Sequence, residues 1–379
     1  MGLRASKRAI WINSLVGVVA VSLLVACGGD AGGGSTDGSN GNGEVEVPTS
    51  DEEREELART LEGETIELIV PYDPGGSYDQ VIRNLAPFLE EYTGADTVVK
   101  NMPGAGSLVA MGSVANAPER SPQLVAANVL GILGPELAEA PGVALSADDF
   151  LWVGNTSLEP EMLIVAEGSG LNSIEDLAAQ AESSGEPVTF AATGPDNFYV
   201  NAKVIGEVFD FPVEVVSGFD GAAGVYQAVI QGDADAAMGS LTSAKAVMGS
   251  GDGKAIALFG ELPESAPEEM HGFIEGVPNA ADLAQEQGMS EETEAILQTH
   301  LDMLALSRPL AAPPSTPDDR LAAFRAAYEL IFNDPDFIEA AKKMQLSVGY
   351  MPGEEVASTF QDLLGAGDSY RALLEAAYQ

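Results

Sequence analysis

Short apolar runs that end in glycine-bearing turns and give way to helical periodicity recur along this chain, and this alternation limits its fold more than any other feature. Residues 66–71 read as a strand before a helical pattern at 78–92, residues 97–100 precede one at 107–115, and 123–128 precede an alanine-rich segment. Further strands are expected at 151–154, 162–166, 188–192, 213–216, 234–239 and 255–259, with helices at 173–183, 197–209, 221–231 and 242–248. Such alternation is the pattern of an α/β fold. Residues 304–317, rich in Pro and Ala, read as a connection, and helices are expected after it at 317–332 and 335–344. No internal repeat stands out.

The chemistry is placed in the strand-to-helix turns. Val70-Pro71-Tyr72-Asp73-Pro74-Gly75-Gly76-Ser77-Tyr78-Asp79 puts two glycines and a serine where the chain leaves a strand and opens a helix. Backbone N–H groups at such a turn face outward beside a positive helix end, which suits a carboxylate or a phosphate. Asn101-Met102-Pro103-Gly104-Ala105-Gly106-Ser107 repeats the arrangement one unit later, and Thr193-Gly194-Pro195-Asp196-Asn197-Phe198 repeats it mid-chain. One such glycine turn can be purely structural, because a left-handed backbone alone demands glycine. Three on βα units point to ligand binding outside the carboxyl ends of the strands.

The amino terminus carries a different signal. Arg4, Lys7 and Arg8 form a basic segment, and residues 10–26 form an apolar one, shorter than the ~20 residues of a bilayer span. The run ends Leu24-Val25-Ala26-Cys27, with the single cysteine of the chain. This predicts a lipoprotein signal peptide at 1–26, a mature chain beginning at a diacylated Cys27, and an extracytoplasmic protein anchored by lipid to the outer face of the cell membrane. An uncleaved transmembrane anchor is the alternative. Residues 28–43 are nearly all Gly, Ser, Asp, Asn, Thr and Ala, so 27–59 is expected to be a flexible linker containing a charged, helix-permissive stretch at 51–57. The folded body is expected to start near residue 60.

Charge narrows the function classes. Lys and Arg number 17 against 59 Asp and Glu, a formal net charge of −42, which losing Arg4, Lys7 and Arg8 with the signal takes to −45. Nucleic acid is therefore not an expected partner. Hydrophobic residues still make up 45 %, so the pattern is a folded protein with an acidic skin, suited to a salt-loving host or to an ordinary acidic secreted protein. With Cys27 lipidated no disulfide is available. His271 and His300 stand apart from any ligand-spaced cluster, so no metal site, no cofactor and no catalytic residue is expected.

Val70-Pro71-Tyr72 with Pro74-Gly75-Gly76-Ser77-Tyr78-Asp79, followed by Asn101-Met102-Pro103-Gly104-Ala105-Gly106, resembles the paired signature of the solute receptors of tripartite tricarboxylate transporters, the Bug or TctC family. Ala192-Thr193-Gly194, Gly218-Phe219-Asp220-Gly221, Gln231-Gly232-Asp233-Ala234-Asp235, Gly276-Val277-Pro278 and the run Leu310 through Pro317 follow in that family's order, so the likeness covers roughly residues 64 to 379. It implies a type II periplasmic-binding-protein fold, with two α/β lobes joined by two crossover segments around a ligand cleft. Lobe 1 would comprise 60–161 and 304–379, and lobe 2 would comprise 162–303, with crossovers near 153–162 and 303–310.

The resemblance also implies a cleft lined by Tyr72, Asp73, Gly75, Gly76, Ser77, Asp79, Gly104, Ala105, Gly106, Ser107, Thr193, Gly194, Asp196, Asn197, Phe198, Phe219, Asp220, Gly221, Ser240 and Thr242. Receptors of this family hold a small carboxylate through backbone amides and water and pass it to a two-component membrane permease; a monomer is expected. Asp73, Asp196 and Asp220 depart from the family's neutral, small and often lysine residues. Facing the cleft they would repel a tricarboxylate and favour a mono- or dicarboxylate, an amino acid or a cation-bridged anion; otherwise they are loop charges or helix N-caps. Phe150 and Trp152 are expected to pack a lobe or hinge, and Glu159 and Glu161 to be solvated loop charges. A phosphate-loop enzyme is the rival class, but Gly75-Gly76-Ser77-Tyr78 lacks the G-K-[ST] sequence. A sensory receptor on the same fold is a third.

Overall fold

Among the described residues eleven strands fall into two sheets, and their directions bring most of the loops named above to two sheet edges. The computed structural model describes residues 48–140, 145–194 and 196–378; the expected signal peptide, Cys27 and most of the expected linker lie outside them. In chain order the elements are α1 (Asp51–Ala58), β1 (Thr65–Val70), α2 (Ser77–Thr93), β2 (Asp96–Asn101), α3 (Leu108–Ala115), β3 (Gln123–Ala126), α4 (Val129–Leu137), β4 (Leu151–Ser157), β5 (Glu161–Ala166), α5 (Ile174–Ser184), β6 (Val188–Ala192) and α6 (Asn197–Val208). There follow β7 (Val213–Ser217), α7 (Gly221–Gln231), β8 (Ala236–Ser240), α8 (Leu241–Ser250), β9 (Gly253–Phe259), α9 (Glu268–Ile274), α10 (Ala280–Gln287) and α11 (Glu291–Ala305). The chain ends with β10 (Ser307–Ala312), α12 (Asp318–Asn333), α13 (Pro335–Lys343), β11 (Met351–Pro352), α14 (Gly353–Leu364) and α15 (Asp368–Tyr378).

The first sheet has the order β11-β4-β10-β3-β1-β2 and the second β7-β6-β8-β5-β9. In the first, β1 pairs in parallel with β2 and β3, while β10 runs antiparallel to β3 and β4. The carboxyl ends of β1, β3 and β4 therefore lie at the same edge as the amino end of β10. In the second, β6 is parallel to β7 and β8, and β5 is antiparallel to β8 and β9. The carboxyl ends of β6 and β8 share an edge with the amino end of β5. The chain passes between sheets once between Ser157 and Glu161, and it returns between Ala305 and Ser307.

Two expectations need correction. The stretch 304–317 is not merely a connection, because β10 sits inside the first sheet, flanked by β3 and β4. Pro309 has no N–H to donate, yet its carbonyl accepts from the Ala127 N–H at 2.8 Å, and a register shift at Leu310/Ala311 accommodates the strand. The second correction concerns 51–59, expected within the linker. Ser50 caps α1, Ala58 and Leu61 are buried, and Arg54 bridges to Glu329 of α12 at 2.7 Å, so packed structure begins near residue 50.

The main apolar cluster runs through both sheets, joining Leu130 and Leu133 of α4 to Ile205 of α6, Leu297 of α11 and Leu374 of α15. Each such leucine contributes about 1.5–3 kcal/mol by leaving water, so the two sheet systems are held by packing as well as by the crossovers. Trp152 is fully buried, stacked on Phe360 at 4.2 Å between centroids with Phe150 at 6.2 Å, in the packing role expected for both.

Candidate functional site

The turn after β1 is built around Asp79. Its buried carboxylate accepts from the Gly75 N–H at 2.8 Å, from Arg83 Nε at 2.9 Å and from Asn101 Nδ2 at 3.0 Å. Burial opposes its charge, but those three donors outweigh it and hold the carboxyl below its ordinary range. Asp79 thus shapes the turn from within. Gly75 has φ +89°, a conformation that favours glycine, whereas Gly76 has φ −71° and would meet only the Asp73 carbonyl at 3.6 Å if it carried a Cβ. The first glycine is required by the turn; the second leaves open space at the end of α2. No side chain caps α2, and Gly75 and Gly76 are exposed with Ser77 half-buried, so the N–H groups of this helix end are accessible.

The loop after β2 carries positive φ at Gly104, Ala105, Gly106 and Ser107 in succession. Leaving glycine at Ala105 and Ser107 means the surroundings hold the backbone there against its preference. Gly131 of α4 presses on this loop so closely that a Cβ on it would lie 1.8 Å from the Gly106 carbonyl oxygen. The N-cap of α4 is Asn128, whose side chain accepts from Gly131 N at 2.8 Å.

Asn128 also joins the two sheet systems. Its Nδ2 donates to the Tyr72 hydroxyl at 2.5 Å and to Asn197 Oδ1, at the start of α6, at 3.3 Å. Tyr72 lies 4.8 Å from Tyr78 between ring centroids, and the Tyr78 hydroxyl reaches the Ala127 carbonyl at 3.4 Å. The amino ends of α4 and α6 therefore meet, and the rings of Tyr72 and Tyr78, on either side of the turn that opens α2, reach them. Asp196 caps α6 through Phe198 N at 3.1 Å and also accepts from the Thr193 hydroxyl. Burial lifts its carboxyl to about 6 despite those bonds. Phe198 packs edge-on to Tyr226 at 6.1 Å and crowds Gly239, where a Cβ would be 2.6 Å away.

Other expected residues fall outside this contact. Asp73, Gly194, Asp220 and Gly221 are not buried, and Phe219 is half-buried against the apolar cluster of the second sheet. Asp220 stands at the N-cap of α7 without a side-chain capping bond. Ser240 and Thr242 are buried at the start of α8, in a charged cluster that the sequence reading did not foresee.

That cluster reverses the expectation that Glu159 and Glu161 are solvated loop charges. Glu159 is buried, paired with the buried guanidinium of Arg308 and accepting from the Thr242 N–H at 2.7 Å. Arg308 also donates to Ser157 Oγ at 2.9 Å, Ser307 Oγ at 3.1 Å and Ser240 Oγ at 3.2 Å, and lies 5.1 Å from the Tyr78 ring centroid. Burial acts against its charge, but Glu159, Tyr78 and Glu161 more than offset this and raise its pKa. Glu161, at the amino end of β5, is half-buried beside Asn201 Nδ2 at 3.4 Å. Burial first, then Glu159 and Asp196 against the pull of Arg308, push its carboxyl up to about 8. The one available hint was that Glu159-Pro160-Glu161 and Arg308-Pro309 both fall on the expected crossovers. A separate depression of about 820 Å³, lined by Ile174, Glu175, Phe209 and Gln287, holds none of these residues.

The sequence is 29 % identical over 135 residues to Protein BugT of Bordetella pertussis, a match covering 35 % of this chain and 41 % of BugT. The chain thus spans about two-fifths of the length of the curated relatives it matches. No profile of a known protein family matches. A TctC solute-binding protein from Polaromonas superposes with a TM-score of 0.58 at 20 % identity, over 83 % of this chain and 98 % of that one. MatC from Rhodopseudomonas palustris, solved with bound malate, superposes with a TM-score of 0.62 at 20 % identity, over 83 % and 99 %. Over about a third of its length in sequence, and over most of it in fold, the chain is similar to Bug and TctC solute-binding proteins. Its two sheets are the two α/β halves of the type II periplasmic-binding-protein fold, and the helix ends that meet at Asn128 and Asn197 lie between them.

Proposed function

We propose that this protein is an extracytoplasmic solute receptor that captures a small carboxylate between its two lobes and delivers it to a two-component permease of the tripartite tricarboxylate type. The observation that carries this reading is the contact of Asn128 with Tyr72 and Asn197, which joins the turn before the uncapped α2 to the amino ends of α4 and α6. Of these helix amino ends α2 carries no side-chain cap, and a partly buried, uncapped helix end favours an anion. The malate bound to MatC supports a carboxylate as the solute. Lobes at about 50–161 with 304–379 and at 162–303, a lipid on Cys27, a monomeric state and binding without turnover complete the proposal. The test is titration with four- to six-carbon dicarboxylates followed by recovery of the bound molecule. Saturable binding near one per chain, a raised melting temperature and an unchanged solute are expected. A converted product would replace this reading with an enzyme.

A further inference from the structure

Strand order places two sets of contacts on opposite sides of the crossovers. In the first sheet β3, β1 and β2 lie on one side of the crossover strands β4 and β10, and β11 lies on the other. In the second, β8, β6 and β7 lie on one side of β5, and β9 lies on the other. Asn128 follows β3 and Asn197 follows β6, so their bond at 3.3 Å joins the halves on the side of the glycine turns. The far side has a contact of its own. Lys245 belongs to α8, which leaves β8 and packs across β5 to β9, and its Nζ donates to the Gln345 carbonyl at 3.0 Å and the Met344 carbonyl at 3.3 Å. The Gln345 side-chain amide donates to Glu269 of α9. From there the chain follows the first crossover into β11, the Ser347 carbonyl accepting from Ser157 Oγ at 2.7 Å and the Gly349 N–H reaching the Thr156 carbonyl at 3.4 Å. Gln345 has φ +55°, and the Leu346 N–H bonds to the Ala341 carbonyl at 2.9 Å, so α13 closes in a left-handed turn whose last carbonyls form its negative end. Half-buried Lys245 places an ammonium on that end.

We propose that Lys245 is a counter-brace: it holds the two halves together behind the crossovers, opposes closure of the cleft, and so sets solute affinity without touching the solute. This rests on the receptor reading above. A rotation about the crossovers that draws the amino ends of α4 and α6 onto a solute moves α8 away from the end of α13, and the reverse rotation presses them together. The apolar packing of α4, α6, α11 and α15 leaves the angle adjustable, because such packing is non-directional and packed helices slide over one another. The bonds from Lys245 are directional and fix it. Solute and Lys245 therefore compete for the angle between the halves. The measured affinity is the intrinsic one reduced to the fraction of molecules that are closed, and weakening the brace raises that fraction.

The experiment is calorimetry with malate, glutarate and adipate on the full chain and on its Lys245→Met variant, together with hydrogen exchange of both proteins without solute. Methionine keeps an apolar stem and removes the donors. The variant should bind whichever acid the parent binds about three- to thirtyfold tighter, the range spanned by a cation on a helix carboxyl end. Without solute its exchange should slow at the amino ends of α4 and α6 and quicken at residues 344–346. Gln345→Ala removes the bond to Glu269 and leaves the Lys245 contact in place. It should act in the same direction more weakly, and it is judged in the same way if Lys245→Met does not fold. An affinity that is unchanged or weakened overturns the brace and leaves the receptor reading standing. If none of the three acids gives heat with either protein, the receptor reading fails for them and exchange decides the brace alone: slower exchange at α4 and α6 supports it, and equal rates overturn it.

Discussion

Glu159 on one crossover and Arg308 on the other form a buried ion pair, with the Glu159 carboxylate also taking the Thr242 N–H at the amino end of α8. The chain thereby fills one helix-end anion position with its own carboxylate. The pair ties the two segments through which the lobes are joined, so the hinge is stiffened by charge as well as by the apolar packing of α4, α6, α11 and α15.

Breaking this pair from one side should be far worse than removing it whole. Glu159→Gln leaves Arg308 charged and buried without its counter-ion, and should lower unfolding stability by about 3–5 kcal/mol. Replacing both residues with methionine should recover most of that loss. Equilibrium denaturation of the single and double variants checks the prediction, and a single variant within about 1 kcal/mol of the parent would mean the pair contributes little.

Gly75, Gly76 and Gly131 should separate into structural and spatial roles. Gly75→Ala puts a side chain at φ +89° and should cost about 1–2 kcal/mol of stability, although nothing crowds the new Cβ. Gly76→Ala should change stability by less than about 0.5 kcal/mol, because its backbone is ordinary, yet weaken solute binding by narrowing the approach to the α2 N–H groups. Gly131→Ala should be the most damaging, at about 3 kcal/mol, since its Cβ would collide with the Gly106 carbonyl. Melting curves with a parallel titration separate the three.

These differences show where the sequence was readable. The glycine turns were legible because a left-handed backbone after a strand leaves a residue-type signature, as at Gly75, Gly104 and Gly106. Asp196 was legible as a possible helix cap for the same local reason. The charged cluster was not, because Glu159 and Arg308 meet only through tertiary folding and each looks like an exposed loop charge among its sequence neighbours. Strand β10 was obscured by Pro309 and its alanines, which match a connection unless the bulge against β4 is known. Asn128 gave no signal beyond that of any helix cap, yet it is the residue that touches both lobes.

Stability should fall from pH 6.5 to 8 because of Glu161. Its folded pKa of about 8 lies above the ordinary 4.5, so the native state holds the proton more tightly and that stabilisation is complete below 4.5 and lost as pH rises through 8. The opposite holds for His300, buried beside Tyr370 and depressed by burial to about 3 from 6.5, which destabilises the fold as pH drops below 6.5. Above 6.5 His300 is neutral in both states, so the two effects separate. The parent should lose at most about 2 kcal/mol between pH 6.5 and 8, and Glu161→Gln should remove that slope. Urea titrations across this window check it; an unchanged slope in the variant assigns the effect to another group.

Salt should stabilise the fold. Among the described residues nine ion pairs are formed, while the whole chain has 59 acidic side chains and 17 basic ones, so most carboxylates face one another without a cation. Their repulsion acts over about 10 Å at 0.1 M salt and about 3 Å at 1 M, which removes most of the long-range part while leaving the buried Arg308–Glu159 pair little affected. The melting temperature should therefore rise steadily from low to molar sodium chloride. The increment should be nearly the same in the Glu159/Arg308 double methionine variant, because that variant leaves the surface charge unchanged. A melting temperature that stays flat with salt in the parent would show that the acidic surface does not strain the fold.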